Sequence, residues 1–420
     1  MFRGFPIEKY CNRINLCREC LRRIIIADLF SCLTRYVFFI TFRLKEPCII
    51  AVIPLLISNL YIDRQVAQLP RVASIRTRTD APVVVVQNVQ EIFDSLASSD
   101  DPIQKAKTFL LLTRNKGAFI KKCPGTRAYR CCNYQILHIG TFCTMDCSYC
   151  ILQTYFHPPA LQYFVNHDDL FLELDNLFLK KTITRIGTGE FTDSMIWEMW
   201  TDLSSRLVPK FSEQSHAVLE LKTKTTAIDG LKRLGHNRKT IVAWSLNTDR
   251  VIKNEEFHTA SLSERLRAAA KCESWGYPLG FHFDPMFIYD GCEEEYREVV
   301  EKLFSHVSSK NIAWISIGTF RFMPSLKSII QKRFPESKII YGEFILGLDG
   351  KMRYFKPLRI ELYRKMVSWI REYDPEVVIY FCMEDDEVWQ KSMGFIPQDR
   401  GGLPKMLDKS AVRVCGLDVG

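Results

Sequence analysis

Between residues 134 and 317, short apolar runs alternate with longer stretches in which apolar residues recur every three or four positions. The short runs predict buried strands and the longer stretches predict amphipathic helices. Strands are predicted at 134–139, 184–190, 217–224, 240–247, 278–284 and 312–317. Helices are predicted at 168–179, 195–211, 228–234, 262–275 and 293–306. Repeated strand–helix units imply a parallel sheet with right-handed crossovers, so about six of them predict a partial α/β barrel.

The flanking segments follow other patterns. Ahead of the repeats, strands are predicted at 82–87 and 109–113, the first of them buried, with helices at 89–96 and from residue 101. Beyond residue 339, two strand-like arms flank Asp349-Gly350, which predicts a hairpin with a tight turn; a helix, a strand, another helix and a tail follow. We therefore predict four regions: an atypical extension (1–56), an N-terminal α/β region (57–130), a partial (β/α)6 barrel (131–338) and a C-terminal region with a basic β-hairpin (339–420).

The first 56 residues differ from the rest in being dense in cysteine, arginine and isoleucine. Their two apolar runs, 35–42 and 49–57, are shorter than the roughly 18–20 residues that a membrane-spanning helix needs, and charged residues interrupt the stretch. We interpret this segment as a poorly folded extension that is not part of the working protein. A membrane-surface anchor is the alternative.

Composition narrows the class of protein. The chain has 420 residues, of which 25% are charged and 47% hydrophobic, as in globular proteins. The net charge of +9 is compatible with a polyanionic partner, but it is mild, and solubility alone would also explain it. The 15 cysteines are an odd number and no signal-peptide pattern accompanies them. This predicts a reducing, cytoplasmic location without stable membrane association.

Three cysteines on one short stretch carry the most specific signal. Cys143, Cys147 and Cys150 have the spacing Cys-x3-Cys-x2-Cys. Three thiolates can hold three irons of a four-iron four-sulfur cluster, whose fourth iron is then free to chelate a small molecule. This is the requirement for reductive cleavage of S-adenosylmethionine. The alternative is a structural zinc site, but no second cysteine or histidine pair with zinc-knuckle spacing follows Cys150.

Polar residues at predicted strand ends supply candidate cofactor ligands. Gly187, Gly189 and Glu190 form a Gly-rich loop after one strand, where the carboxylate can accept an amino group. Lys224 ends the next strand and suits a carboxylate. A simple turn and a surface lysine are the alternative interpretations of these two features.

Two further strands carry polar residues on one face. Ser245 and Asn247 alternate with apolar neighbours, so one face of a strand buried on both sides is polar and lines a cavity. His282 and Asp284 are two residues apart and share a strand face, which makes them catalytic candidates. A core histidine with satisfied hydrogen bonds is the alternative.

The basic hairpin suggests contact with nucleic acid. Lys351, Arg353 and Lys356 could meet phosphates, and Tyr354 could stack on a base. Arg321, after the last barrel strand, is a further candidate phosphate ligand. The alternatives are a solvated edge strand protected by charge and an ordinary surface arginine.

From about residue 58 to 413 the chain resembles the spore photoproduct lyase family of radical S-adenosylmethionine enzymes, often labelled DNA repair photolyases. The cysteine spacing alone marks a much larger superfamily, and the combination of motifs narrows it to this family. The motifs are Cys143-Thr-Met-Asp-Cys-Ser-Tyr-Cys-Ile-Leu-Gln-Thr154, Phe164-Val-Asn-His-Asp-Asp-Leu170, Thr223-Lys224, Trp244-Ser-Leu-Asn247, Arg265-Leu-Arg-Ala-Ala-Ala270, Gly276-Tyr-Pro-Leu-Gly-Phe281, Arg321-Phe322 and Gln331-Lys-Arg-Phe-Pro335.

The resemblance implies a partial (β/α)6 barrel, a 4Fe-4S cluster on the three cysteines and S-adenosylmethionine on its open iron. Lys224 and Ser245 match family positions that contact this cofactor. The hairpin around Asp349-Gly350 matches the element that approaches damaged DNA. The implied partners are DNA and an electron donor such as flavodoxin or ferredoxin.

In the family, an adenosyl radical removes a hydrogen from a cross-linked thymine pair, the linkage breaks, and a cysteine returns a hydrogen with the help of a tyrosine. This chain departs at the last step. Phe191 stands where the donor cysteine would precede Thr192-Asp193-Ser194, and Ile151 replaces one tyrosine, while Tyr149 keeps the other. Candidate substitute donors are Cys123, Cys131, Cys132, Cys272 and Cys292; the first three are also candidates for a second metal centre.

Three hypotheses follow. The first is a radical enzyme of this family, lyase-like, acting on a DNA lesion; its DNA binding would depend on the hairpin and on salt. The second is a radical enzyme on a different substrate, which would cleave its cofactor without any dependence on DNA. The third is a non-catalytic metal-binding nucleic-acid module, which would bind metal without turning over cofactor.

Overall fold

The computed structural model describes residues 57–126 and 128–418, so the expectations for residues 1–56 lie outside the described part of the chain. The strands, numbered in chain order, are β1 (Asn59–Asp63), β2 (Val83–Val86), β3 (Phe109–Thr113), β4 (Ile120–Lys122), β5 (Gln135–Leu137), β6 (Gly140–Thr141), β7 (Asp146–Cys147), β8 (Gln162–Phe164), β9 (Thr184–Gly187), β10 (Ala217–Thr223), β11 (Thr240–Ser245), β12 (Glu256–Phe257), β13 (Leu279–Met286), β14 (Ile312–Thr319), β15 (Arg321–Phe322), β16 (Phe344–Leu346), β17 (Met352–Tyr354) and β18 (Ile379–Phe381).

The α-helices, numbered likewise, are α1 (Pro70–Arg76), α2 (Gln90–Ala97), α3 (Pro102–Ala106), α4 (Leu152–Tyr155), α5 (His167–Phe178), α6 (Leu203–Ser212), α7 (Asp249–Glu255), α8 (Leu262–Ser274), α9 (Cys292–His306), α10 (Pro324–Arg333), α11 (Lys356–Tyr373), α12 (Asp386–Met393) and α13 (Leu403–Cys415). None of the helices in the described ranges is long and apolar enough to cross a membrane.

The main sheet has eight strands in the order β18-β14-β13-β11-β10-β9-β5-β4. All neighbours are parallel except β4 and β5. Every residue of β11 and of β14 is buried, which explains why these strands appear in the sequence as nearly unbroken apolar runs. The six predicted barrel strands are confirmed as β5, β9, β10, β11, β13 and β14, and the sheet forms the predicted partial barrel.

A second sheet, built largely from the N-terminal region, has the order β2-β1-β3-β8-β6. Its central strand β3 is buried at every residue. The strand expected at 82–87 is present as β2, but it is an edge strand and Val83, Val84 and Val85 are exposed. The expectation that it is buried was wrong because a run of valines looks the same in sequence at the centre and at the edge of a sheet.

Three of the five helices predicted between residues 168 and 306 are present as α-helices, namely α5, α8 and α9. Helix α8 is capped by Ser261, whose side chain forms a capping box with Glu264, and it ends before Gly276, whose φ is +92°. The helix expected at 195–211 is two elements, a 3-10 turn at Ile196–Met199 and α6. The helix expected at 228–234 is only the 3-10 turn Asp229–Leu231.

The C-terminal hairpin is formed by β16 and β17, with Phe344 opposite Tyr354 and Leu346 opposite Met352. Residues 347–351 connect the two strands, and within them the Gly347 N–H donates to the Lys351 carbonyl at 2.8 Å and the Gly350 N–H to the Gly347 carbonyl at 3.0 Å, so the predicted tight turn is present. Strand β15 adds to β17 and makes a three-stranded sheet. Because β15 directly follows β14, this small sheet is anchored at the carboxyl end of a barrel strand.

Candidate active site

A cavity of about 330 Å³ opens at the carboxyl ends of the main-sheet strands. Parallel sheets place their ligand sites at this edge because the loops after the strands converge there. The cavity is lined by all three cysteines of the predicted cluster loop and by residues that end or follow strands β9, β10, β11, β13, β14 and β18. These are Gly189, Glu190, Thr223, Lys224, Ser245, Asp284, Pro285, Phe320, Arg321, Cys382 and Met383.

The cysteines lie on one loop facing this cavity. Cys143 and Cys147 are buried and Cys150 is half-buried. Burial raises the pKa of Cys143 to about 12, so a bare thiolate is disfavoured there and a bound cation would be needed to stabilise it. Among the described residues, no three His, Cys, Asp or Glu side chains converge on one ion. The spacing of the three thiols along one segment and their shared cavity suit a cuboidal cluster, which takes each thiolate on a different iron.

Two buried cations hold the cluster loop. Lys107 donates a hydrogen bond to the Cys143 carbonyl at 3.1 Å and pairs with Asp146 at 3.3 Å. Arg333 donates to both oxygens of Asp146, at 3.1 and 3.0 Å. Although burial raises the pKa of Asp146, these two cations hold it below its ordinary value. The loop is therefore fixed by contacts that do not involve a cluster.

Tyr149, expected to be catalytic, lines the cavity and donates its hydroxyl hydrogen to Glu256. Glu256 in turn pairs with Arg265 at 2.6 Å, and both side chains are almost fully buried. Burial and then the Glu256 carboxylate raise the pKa of Tyr149, so the phenol stays protonated. The Lys224 ammonium lies 5.7 Å from the Tyr149 ring centroid. Glu256 is not apparent as a site residue in the sequence because it follows a helix rather than a barrel strand.

His282 lines the cavity, but its ring is engaged in a buried network around Glu220. Its Nε2 lies 3.0 Å from Glu220 Oε1, which also accepts from Trp314 Nε1 at 2.9 Å. Tyr134 donates to Glu220 Oε2 at 2.6 Å. Although burial raises the pKa of Glu220, His282, Lys222 and the Tyr134 hydroxyl lower it to about 2. This arrangement favours the core-histidine interpretation of His282, and Glu220 is a site residue that the sequence did not single out.

Asp284 and Arg321 form a bidentate pair inside the same cavity. The two nitrogen–oxygen distances are both 3.0 Å, and both side chains are mostly buried. The strand geometry that placed Asp284 on the same face as His282 is confirmed, since both line the cavity. The free phosphate ligand expected at Arg321 is not what the structure shows, because Asp284 already satisfies the fork of its guanidinium.

The predicted cofactor ligands divide into two groups. Gly189, Glu190, Lys224 and Ser245 line the cavity with the three cysteines, as their positions at strand ends predicted. Asn247 does not line it. Its side chain donates to the Pro285 carbonyl at 2.9 Å and accepts from the Tyr296 hydroxyl at 2.7 Å. The expectation for Asn247 is therefore corrected: it holds the carboxyl end of β13 from within the core.

Gly187 also has a packing role rather than the expected ligand contact. A Cβ added at this position would lie 1.8 Å from the Tyr134 hydroxyl oxygen and 2.7 Å from the Glu220 carbonyl oxygen. Because the Tyr134–Glu220 hydrogen bond crosses directly over this glycine, only glycine fits there.

We expect Gly187→Ala to lower the free energy of unfolding by about 2–4 kcal/mol, because the new methyl group must displace Tyr134 and leave Glu220 with fewer donors. Urea unfolding of the cofactor-free protein measures this loss. Gly235→Ala is the matched control, since a Cβ there meets nothing within 4 Å. Equal stability of the two variants would show that Tyr134 is not fixed over Gly187.

The structure corrects the surface role expected for two hairpin residues. Arg353 and Tyr354 are each only 2% exposed. Arg353 binds both oxygens of Asp349, at 3.2 and 2.7 Å, and donates to the Met383 carbonyl at 3.0 Å. Tyr354 stacks on Phe344 with ring centroids 4.3 Å apart. Both side chains build the hairpin from inside, so neither faces a surface ligand.

The other two basic residues of the hairpin differ from each other. Lys351 lines the cavity. Lys356 starts α11 and is neutralised by Asp385 at 2.9 Å and Glu387 at 2.8 Å. Among the described residues, the exposed side chains of the hairpin strands and of their connection are instead apolar: Ile345, Leu346 and Leu348.

The structure also separates the candidate thiols. Cys123, Cys131 and Cys132 line the cavity, whereas Cys272 and Cys292 are buried in α8 and α9 and do not. Cys382, which also lines the cavity, was not among the candidates, although it ends the strand predicted at 377–382. Its place directly after β18 was the signal that could have revealed it. Phe191 does not line the cavity and packs on His138, with ring centroids 4.9 Å apart.

Comparison with known proteins agrees with this architecture. A family model described as spore photoproduct lyase matches residues 125–379. Proteins named spore photoproduct lyase from Clostridium acetobutylicum and Bacillus subtilis are each 31% identical over 227 and 222 residues, which is 53% and 52% of this chain. The match spans 65% and 63% of those proteins, just under two thirds of their length.

Solved structures show the same fold. A spore photoproduct lyase mutant with dinucleoside spore photoproduct superposes with a TM-score of 0.68, at 22% identity, covering 78% of this chain and 99% of that one. A second mutant, with bound AdoMet and the same dinucleoside, gives a TM-score of 0.70 with the same identity and coverage. Together with the family model, which matches more than half of the sequence, these findings show that this chain belongs to the spore photoproduct lyase family.

Proposed function

We propose that this chain is a radical S-adenosylmethionine enzyme that acts on a cross-linked thymine pair in DNA. The proposal rests on one observation: a single cavity contains the three cysteines of the loop together with Glu190, Lys224, Ser245 and Tyr149. Family membership makes DNA carrying a thymine cross-link the first substrate class to test.

The residues present fit the implied cofactors. Cys143, Cys147 and Cys150 would hold a 4Fe-4S cluster, since buried thiols with raised pKa values need bound cations to ionise. When bound, the cluster would supply an electron to S-adenosylmethionine and thereby a 5′-deoxyadenosyl radical. Glu190 is suited to accept the cofactor's ammonium group and Lys224 to pair with its carboxylate.

The remaining cavity residues would position the substrate. Lys351 lines the cavity 4.0 Å from Asp349 and supplies a cation that can meet a phosphate. The Asp284–Arg321 pair gives the cavity wall a fixed polar surface. Tyr149 stays protonated against Glu256 and so keeps its O–H hydrogen within the cavity. An external one-electron donor such as flavodoxin or ferredoxin completes the proposed set of partners.

The test is an anaerobic assay of the iron-reconstituted protein with S-adenosylmethionine, dithionite and DNA carrying the spore thymine cross-link. Formation of 5′-deoxyadenosine together with repaired thymine, measured by mass spectrometry, is the expected result. The Cys143→Ala variant and undamaged DNA are the controls. Deoxyadenosine without repaired thymine would overturn the lesion as substrate, and absence of both in protein with a verified cluster would overturn the radical chemistry.

A second candidate is the same radical chemistry on a substrate other than DNA. The observation that favours it is the internal pairing of Arg321, Arg353 and Lys356, which leaves the hairpin with fewer free cations than its sequence suggests.

Salt dependence separates the two candidates. If Lys351 contacts a phosphate, Lys351→Gln is expected to weaken DNA binding and to make the slope of log K against log salt concentration less steep by about one. Lys365→Gln is the matched control, because Lys365 already pairs with Glu293 and Glu361 on the outer side of α11. Fluorescence-anisotropy titrations at several salt concentrations give both slopes, and identical slopes would favour the second candidate.

A further inference from the structure

Four cysteines besides those of the cluster loop line the cavity: Cys123, Cys131, Cys132 and Cys382. A thiol beside a carbon radical is a hydrogen-atom donor if three conditions hold. It must face the radical site, it must carry its S–H hydrogen at working pH, and it must be held in place. These conditions discriminate among the four.

Cys131 and Cys132 are engaged with each other. The Cys132 thiol donates to Cys131, and this lowers the pKa of Cys131 to about 6. The Cys131 thiol therefore loses its S–H hydrogen more readily than a buried thiol does. Cys131 is also exposed, while Cys123 follows the edge strand β4 rather than a strand end of the parallel series.

Cys382 occupies the carboxyl edge of the barrel. It directly follows β18, whose Phe381 lies opposite Ile317 of the parallel strand β14. Cys382 lines the cavity together with Arg321, Asp284, Glu190 and Lys222, and these four charged groups act electrostatically on its thiol. The thiol therefore faces the same space as the cluster loop and the expected cofactor ligands.

The turn after Cys382 is held in a costly conformation. Met383 has φ +58°, a left-handed backbone that a methionine rarely adopts. Arg353 donates to the Met383 carbonyl at 3.0 Å, and the next carbonyl, of Glu384, accepts from the Arg130 backbone N–H at 3.0 Å. The Glu384 carboxylate is itself bound by Arg359 at 3.1 Å. Strain of this kind persists where surrounding contacts fix a functional group, and here it fixes the direction of Cys382.

We propose that Cys382 is the residue that returns a hydrogen atom to the substrate, an inference that rests on the proposed function. The sulfur–hydrogen bond breaks homolytically, and a carbon–hydrogen bond forms at the substrate carbon radical left when the cross-link opens. The sulfur remains as a thiyl radical. It regains one electron from the low-potential one-electron reductant that also serves the cluster and one proton from solvent, which restores the thiol and balances the step.

The protonation state agrees with this role. Burial raises the pKa of Cys382 to about 11, although Arg321 opposes the shift, so the sulfur keeps its hydrogen at neutral pH. Arg353 was expected to contact DNA. In the structure it is buried, and it positions the Cys382 turn through its hydrogen bond to the Met383 carbonyl.

The first experiment measures where the returned hydrogen originates. In deuterium oxide the thiol exchanges with solvent, so the wild-type enzyme is expected to place one deuterium in repaired thymine. Cys382→Ala should still form 5′-deoxyadenosine, but repaired thymine should fall at least about tenfold and lose its deuterium. Cys292→Ala, whose thiol is outside the cavity, should behave as wild type. Monodeuterated thymine from Cys382→Ala at the wild-type yield would overturn the assignment.

A second experiment uses the cofactor-free protein and so does not depend on turnover. A thymidine dinucleotide whose 5-methyl group carries a methanethiosulfonate forms a disulfide with the thiol nearest the reacting carbon, and peptide mapping identifies it. The Cys131→Ala variant is used, because methanethiosulfonates react with thiolates and the exposed Cys131 thiol ionises more readily than Cys382. We expect labelling of Cys382. Labelling of Cys123 instead would overturn the assignment while leaving the proposed function intact. No labelling of any cavity cysteine, together with deoxyadenosine but no repaired thymine in the assay, would overturn the proposed function and this inference with it.

Discussion

Cys147→Ala is expected to abolish iron–sulfur loading and to reduce 5′-deoxyadenosine formation by about two orders of magnitude or more, since the loop offers three thiolates and a cuboidal cluster needs all of them. Cys147 belongs to β7, which pairs with β12 through Cys147 and Glu256. It is therefore held by the backbone on one side and faces the cavity on the other. Because Lys107 and Arg333 fix the loop through Asp146, the variant should fold and fail only in metal binding.

Iron and sulfide content per chain, the visible absorption of the reconstituted protein and the yield of deoxyadenosine measure the effect. Cys272→Ala is the matched control, because that thiol is fully buried in α8 and does not line the cavity. Full iron content in the Cys147→Ala variant would place the cluster elsewhere, with the thiols of Cys123, Cys131, Cys132 and Cys382 as the next ligands to test. Equal loss in both variants would show that the effect is on folding.

The sequence predicted the barrel and part of the cavity for a physical reason. Strands buried on both faces leave long apolar runs, and polar residues at their carboxyl ends must then lie at one edge of the sheet. Glu190, Lys224 and Ser245 were found by this reasoning. It fails for Gly187 and Asn247, which lie near the same edge but are covered by Tyr134 and held by Tyr296.

The residues that sequence reasoning missed are charges whose partners are distant in the chain. Lys107 meets a loop 36 residues away, and Glu220 meets His282 across 62 residues. Neither spacing leaves a local pattern. The same limitation affects the basic hairpin. From the sequence, Arg353 is expected to be a surface cation, but in the structure it binds Asp349 and the Met383 carbonyl.

Removal of the buried cation Arg265 is expected to have the largest effect on stability. Arg265 is fully buried and pairs with Glu256 at 2.6 Å, and it also donates to the Ala260 and Ser245 carbonyls, each at 2.9 Å. Arg265→Met would leave the Glu256 carboxylate buried without its cation. Breaking such a pair typically costs about 3–5 kcal/mol, whereas exposed pairs contribute less than about 1 kcal/mol. Arg297→Met is the matched control, since its pair with Glu301 is half exposed.

The dependence of this loss on pH identifies its cause. Burial alone raises the pKa of Glu256, and Arg265 reverses this, so that the pKa in the folded protein lies below its ordinary value. In the wild type, the stabilisation from the ionised Glu256 carboxylate is present above the ordinary glutamate pKa of about 4.3 and is lost as the pH falls through the lowered value.

Without Arg265 the pKa of Glu256 should rise, and the carboxyl becomes neutral at a higher pH. The difference in unfolding free energy between wild type and Arg265→Met should therefore shrink by about 1 kcal/mol or more between pH 7.5 and pH 5. Urea unfolding of the cofactor-free proteins at the two pH values measures this difference in unfolding free energy. A difference that does not change with pH would show that the lost stability comes from packing and from the Ala260 and Ser245 hydrogen bonds, not from the uncompensated charge.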